Sequence, residues 1–424
     1  MKKNNWIMSV VTGWLMVMLL PLTILAQESL RKEGRYYVAD INKEFQVKSG
    51  GELIMEKIRG DVRVTTWDKE VVAIREIRQM DVYTEGEARA ILKETEVEYE
   101  QSGNTVRVKA VYQRRSVTNS TFDIRLPVEF NLQINTSGGD IAVAGLKGNQ
   151  ILNTSGGDID LFRIDGQVDA KTSGGDVTIR ENKKEVTVKT SGGDIEILDV
   201  MGAVDARTSG GDIRVVNNQA QVTARTSGGS ISLSNIGAAV EAHTSGGDIE
   251  VDGSKGKLTV ATSGGDIDVR NASDVVTAST SGGDIKASGV SGGISAKTSG
   301  GDLILRDIKG FIEGQTSGGD VEALMTLTDF SKGHHVNLQS SGGDITLYLP
   351  EKLPATITAI LRLERGAWQD YDIYSDFPLT KSKESEGRDR KRRGEEIRSE
   401  GKINGGGDSI LLETTNGNIK IKKL

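Results

Sequence analysis

The sequence predicts an all-β chain: a parallel β-solenoid, β-helix-like, built of 18-residue coils with two short strands per coil and capped at both ends. Three observations predict it. Thr-Ser-Gly-Gly begins at residues 136, 154, 172, 190, 208, 226, 244, 262, 280, 298 and 316, a step of 18 residues every time. Each unit contains two runs of alternating apolar residues, the signature of two half-buried strands. The composition, with 52 Gly, 5 Pro and 4% aromatic residues, suits thin stacked layers better than a conventional globular core.

At the N-terminus, Lys2 and Lys3 precede an apolar run from Ile7 to Ala26, which predicts a secretory signal peptide over residues 1–26. A single membrane anchor is the alternative, because about twenty apolar residues can span a bilayer; Pro21 and the small Ala26 at the polar boundary favour cleavage. If the segment is cleaved, the chain has no other contact with a membrane, and it is periplasmic, on the outer surface or secreted. There is no Cys, so neither a lipid-bearing cysteine nor a disulfide is available and stability must come from stacking. A net charge of -7, from 53 basic and 60 acidic residues, provides no basic field for nucleic acid.

Residues 34–135 read as an N-terminal cap. Lys48-Ser49-Gly50-Gly51-Glu52-Leu53 and Ile58-Arg59-Gly60-Asp61-Val62 look like degenerate coils, and Thr84 to Glu96 carries Ala88, Ile91 and Leu92 at helical spacing. A short helix there would cover an open solenoid end, which otherwise invites edge-to-edge pairing.

The regular array spans 136–349. Its unit is T-S-G-G-D-I-x-V, a variable stretch, then x-V-x-A-x. Position six runs Ile141, Ile159, Val177, Ile195 onward, and position fifteen runs Val168, Val186, Val204, Val222 onward. Residues two apart on a strand share a face, so these columns point inward. Stacking equivalent coils in register satisfies each strand's backbone along the axis without hairpins. The Gly-Gly pair is expected to turn a corner that needs positive φ and to let stacked backbones come close. After Thr316 the spacing lengthens to 24 residues, up to Ser340-Ser341-Gly342-Gly343-Asp344, and the six extra residues around Leu327 to His335 read as an exposed loop that carries His334 and His335.

Residues 350–424 read as C-terminal capping strands, with an aromatic patch at Trp368, Tyr371, Tyr374 and Phe377 plugging the end. A charged stretch, 381–401, with Arg390-Lys391-Arg392-Arg393, lacks the apolar residues needed to bury anything and is expected to be a disordered excursion. Thr415-Asn416-Gly417-Asn418-Ile419 restores the corner pattern, so the chain returns to the fold for its last strand.

The repeated T-S-G-G-D-I coils, the opening Phe45-Gln46-Val47 through Gly60-Asp61-Val62, and the closing Thr415-Asn416-Gly417-Asn418-Ile419-Lys420-Ile421 together resemble the DUF4097 family, over nearly all of the mature chain. That resemblance implies a β-strand-repeat solenoid in bacterial envelope proteins, labelled adhesins and sometimes linked to envelope stress. It brings no catalytic residues.

Position five supplies the candidate chemistry: Asp140, Asp158, Asp176, Asp194, Asp212, Asp248, Asp266, Asp284, Asp302, Asp320 and Asp344, with Ser230 the exception. Stacked carboxylates about 4.8 Å apart repel by roughly 1 kcal/mol per pair even at the dielectric constant of water, so the column needs compensation. Each Asp capping its own Gly-Gly corner is one solution. Calcium is the other, although the calcium β-roll uses G-G-x-G-x-D and here the intervening Gly is missing. The Thr column raises a third reading, an ice-binding face. No Ser lies recognisably beside a His and an Asp, and no irregular polar residues break the array between 136 and 320, so no nucleophile or acid–base pair is indicated. The expected function is an exported, non-enzymatic binding or scaffolding surface whose partner is a protein or glycan of a cell surface or envelope. An envelope-stress scaffold and a glycan-active enzyme are the alternatives.

Overall fold

The computed structural model describes residues 27–112, 118–364, 370–385 and 395–424. The signal segment, Trp368 and the Arg390–Arg393 run lie outside the described residues. Two long sheets of short parallel strands face each other across a narrow apolar core, and the chain alternates between them. The first strand of each coil pairs with its equivalent one coil away, as in Ile159↔Val177 and Leu161↔Ile179. The second strand does the same, as in Val168↔Val186 and Ala170↔Val188. Register advances by one 18-residue unit at these steps, which is the parallel solenoid the repeat predicts.

Five positions of each coil point inward. In the coil beginning at Thr190 they are Ile195, Ile197, Val200, Val204 and Ala206, all buried. Position eleven is therefore a core column that the alternating pattern did not reveal. It is reached because position ten adopts a left-handed backbone, with φ of 56 to 58° at Arg163, Glu181, Asp199, Asn217 and Asn235. That residue acts as a bulge and returns the next side chain to the interior.

The glycine corners depart from expectation in one respect. Neither glycine of the repeated pair has positive φ. The second glycine is required by proximity: a Cβ on Gly175 would lie 2.0 Å from the carbonyl oxygen of Gly157 in the preceding coil, and Gly193 and Gly211 meet the same obstacle at 2.0 and 2.1 Å. The left-handed residues sit at the opposite corner.

Both ends are closed by strands out of sequence order. Gly51–Ile58 and Asp61–Trp67 form a coil beneath the array, pairing with Phe130–Thr136 and Ile141–Ala144. Beneath that coil lie Thr105–Tyr112 and Thr118–Pro127, followed by antiparallel strands. The helix Glu85–Glu94 has a Thr84/Glu87 capping box and rests Ala88 against Ala39 and Met80. Nearby, the buried guanidinium of Arg78 pairs with Glu76 at 2.6 Å and donates to the carbonyl of Thr95, while the hydroxyl of Tyr99 donates to Glu76 at 2.6 Å. The low-dielectric site makes such a pair costly to break from either side.

At the other end, Asp408–Thr415 inserts between Val336–Ser340 and Ala355–Leu363, and Ile419–Lys423 pairs with Ile345–Leu349. Tyr371 and Phe377 pack on the core, whereas Tyr374 is exposed, so the aromatic patch plugs the end only in part. The charged stretch is not wholly disordered as expected. Thr380–Ser385 and Glu395–Ile403 pair antiparallel, because Ile397 and Ser399 turn inward against the terminal strand; residues 386–394 lie outside the described residues.

Candidate functional site

The position-five aspartates do form a column, but they do not cap their own corners. The amide of Asp158 donates to Oδ1 of Asp140 at 2.9 Å, Asp176 to Asp158 at 2.8 Å, and Asp194 to Asp176 at 2.7 Å. The relay continues through Asp212 to Ser230, resumes from Asp248 through Asp266, Asp284, Asp302, Asp320 and Asp344, and ends on the amide of Asn418. Asp61 is its first member, accepting from the amide of Asp140 at 3.2 Å. Each carboxylate thus holds the corner of the next coil, and the charged acceptor strengthens the bond. At Ser230 the acceptor for Asp248 is a hydroxyl at 3.2 Å.

Among the described residues, no group of three or more His, Asp or Glu is placed to hold a metal ion. Burial tends to raise the Asp344 carboxyl, yet hydrogen bonds from the Asn418 amide and Lys420 hold it below the usual carboxylate range.

The threonine column is also structural. Thr190 donates to the carbonyl of Gly175 at 3.0 Å and accepts from the amide of Gly193 at 3.3 Å, with its hydroxyl buried. Thr172 and Thr208 repeat both bonds. An ice-binding face needs these hydroxyls outside, so that reading is corrected.

The histidines separate. His334 is buried rather than exposed: its ring nitrogens lie 2.8 and 2.9 Å from the carbonyls of Lys332 and Pro354, which pins the extra loop to the C-terminal cap. His335 stacks on Phe311 with ring centroids 5.1 Å apart.

Along the left-handed corner runs a feature that no motif announced. Two open cavities, of about 780 and 480 Å³, share Asp199 and Met201 and follow the corner from Gly145 to Asn271. Their middle stretch carries an amide ladder: Asn217 donates to Asp199 at 2.9 Å and Asn235 to Asn217 at 3.0 Å. Gly253 interrupts it, and Asn271 then donates to Asp252 at 2.8 Å. In the stretch nearer the N-terminus, Arg163 pairs with Glu181 at 3.2 Å and Lys183 with Asp165 at 3.0 Å.

The Toastrack DUF4097 family model matches residues 54–286, more than half of the chain. The chain belongs to this family. The match to the Toastrack family runs from Ile54, within the first coil, through the part of the N-terminal cap that follows it and along the array as far as Lys286. Two solved structures are similar. One is a candidate adhesin from Bacteroides fragilis, 15% identical, covering 63% of this chain and 96% of that one at a TM-score of 0.25. The other is a candidate cell adhesion protein from Clostridium sporogenes, 10% identical, covering 90% and 99% at a TM-score of 0.15. Scores this low carry no argument about either shape or role. No curated protein matches the chain.

Proposed function

We propose that this Toastrack chain is an exported, non-enzymatic solenoid that serves as an adhesin-like binding or scaffolding surface, meeting a protein or glycan component of a cell surface or envelope. One observation carries the reading. The polar groups repeated at the glycine corner are engaged in holding coil to coil, with a cavity of about 420 Å³ beside them from Asp176 to Ser230, while the opposite corner presents two larger, adjoining open cavities. The carboxylates most available in number are thereby positioned as acceptors for neighbouring amides rather than as an acid–base pair. A long, regular scaffold with side chains repeated at a fixed spacing suits recognition of an extended surface component. Export rests on Lys2, Lys3 and the apolar Ile7–Ala26 run.

Fractionation of expressing cells tests the location: the reading expects the chain in the periplasm, on the surface or in the medium, and a cytoplasmic chain retaining residues 1–26 refutes it. Retention on intact cells and isolated walls tests the role. Cleavage of wall material by the purified chain would overturn the non-enzymatic part.

A further inference from the structure

The corner groove carries a more specific reading, which rests on the binding role proposed above. From Gly145 to Asn271 the groove crosses seven coil steps, about 34 Å at about 4.8 Å per step. A site this long and narrow fits a polymer. Its middle wall mixes apolar surface with uncharged polar side chains: Asn217, Gln219, Asn235, Asn271 and Ser273 face it, all five exposed, beside Met201, Asp199 and Lys255. In the ladder, Asn217 spends one N–H on Asp199, and its carbonyl accepts from Asn235. A primary amide has two N–H groups and two lone pairs, so a second donor and a second acceptor remain for a ligand. The ladder bonds fix the plane of the amide beforehand, which lowers the ordering cost of binding.

At the N-terminal stretch Arg163 and Lys183 are paired with Glu181 and Asp165, and the other charged lining residues, Lys147, Asp199 and Lys255, are of both signs, so the groove presents no single-sign field to select a polyanion or a polycation. An extended peptide is disfavoured by the backbone. The corner amides of Gln219, Gly237, Lys255 and Ser273 already donate to carbonyls of the preceding coil at 2.7 to 3.0 Å, leaving no free main-chain edge for strand addition. Sugar hydroxyls need only side-chain donors and acceptors, and one sugar of an extended β-linked chain advances by about the rise of a coil. We propose that the groove binds a neutral, linear glycan, with the ladder amides contacting successive sugars.

The test is calorimetric titration of the full mature chain with cellohexaose and with chitohexaose. Two variants accompany it. In Asn217→Gly/Asn235→Gly both ladder amides are removed while the left-handed backbone at φ 56° suits glycine. In Gly253→Asn an amide is added at the gap: the new Cβ would sit 3.4 Å from Oδ1 of Asn235, and although φ at this position is +83°, Asn is among the residues with a Cβ that best tolerate positive φ. The expected result is binding of at least one probe, weakened about tenfold in the double variant and tightened about threefold by Gly253→Asn, at roughly threefold per hydrogen bond. No binding of either probe, unchanged affinity in variants that keep their melting temperature, or preference for an extended Ser/Thr hexapeptide overturns the glycan assignment. Cell-surface retention equal in wild type and double variant sinks the groove alone, whereas loss of retention by the wild type itself sinks the wider binding role.

Discussion

Alanine at either glycine of a single corner is the most direct test of how the coils stack. At Gly211 a Cβ would lie 2.1 Å from the carbonyl oxygen of Gly193 and 2.5 Å from its carbon. At Gly210, one residue earlier, the nearest atoms are the oxygens of Gly192 and Ser191, both at 3.5 Å. Relieving the first contact to an ordinary 3.4 Å requires the coils to separate locally by about 1.3 Å. Three of the hydrogen bonds across that seam lie beside the contact: Gly210 to the carbonyl of Ser191 at 3.0 Å, Asp212 to Oδ1 of Asp194 at 2.8 Å, and the Thr208 hydroxyl to Gly193 at 2.9 Å. At about 0.5–1.5 kcal/mol each, their loss costs roughly 1.5–4.5 kcal/mol before any loosening of the core is counted. Gly210→Ala meets no obstacle and restricts the unfolded chain, so it should be neutral or stabilising by up to about 1 kcal/mol. Thermal unfolding followed by circular dichroism reads the difference. At about 2–4 °C per kcal/mol for a cooperative unit of ordinary domain size, Gly211→Ala should melt roughly 3–18 °C below wild type, with Gly210→Ala at or above it. Equal melting temperatures for the two variants would mean that the corners do not stack in the way described.

Three further outcomes follow from the ladders. Thr190→Val should cost about 1–3 kcal/mol, because the carbonyl of Gly175 and the amide of Gly193 lose a buried partner together; chemical denaturation checks it, and a change below a few tenths would contradict the buried role. Ser230→Asp places a carboxylate between Asp212 and Asp248 and should melt below the near-isosteric Ser230→Asn at low salt, the gap shrinking by about half near 0.15 M as screening sets in. Calcium and sodium chloride at equal ionic strength should close that gap equally, and a calcium-specific rise would restore the metal reading. The Asp344 carboxyl is lowered in the folded chain, so its contribution is present above its unfolded value and fades as pH falls through the folded one. The loss of stability of wild type between neutral pH and about pH 3 should therefore exceed that of Asp344→Asn, and parallel curves would refute the assignment.

The solenoid was legible because the strict period and the columns at positions six and fifteen leave few alternatives to in-register stacking. Position eleven was not, since Asn182, Asn218 and Ser254 interrupt its apolar character. The left-handed corner had left a trace: Gly145, Gly253 and Gly289, with Asn217, Asn235 and Asn271, all occupy position ten. These are the residue types that tolerate positive φ. Arg163 and Glu181 share the conformation without sharing the residue type, and so obscured the trend. The groove could not be read at all, because it arises from the stacking of variable residues. The Asp column was visible, but its bonding direction depends on the offset between neighbouring coils, which no single repeat encodes. The cap topology was hidden for a related reason: Gly51–Ile58 meets Phe130–Thr136 across a long excursion of the chain.

Because each interior coil presents the same seam above and below, the number of units is free to vary while the caps stay the same. Excising residues 190–207 would join two seams that already match, Gly175 to Gly211 and Val186 to Val222. Tandem duplication or loss of one unit could thus lengthen or shorten the molecule without redesigning either terminus. The reach of the molecule is in that sense an inherited variable, adjustable in increments of a single turn.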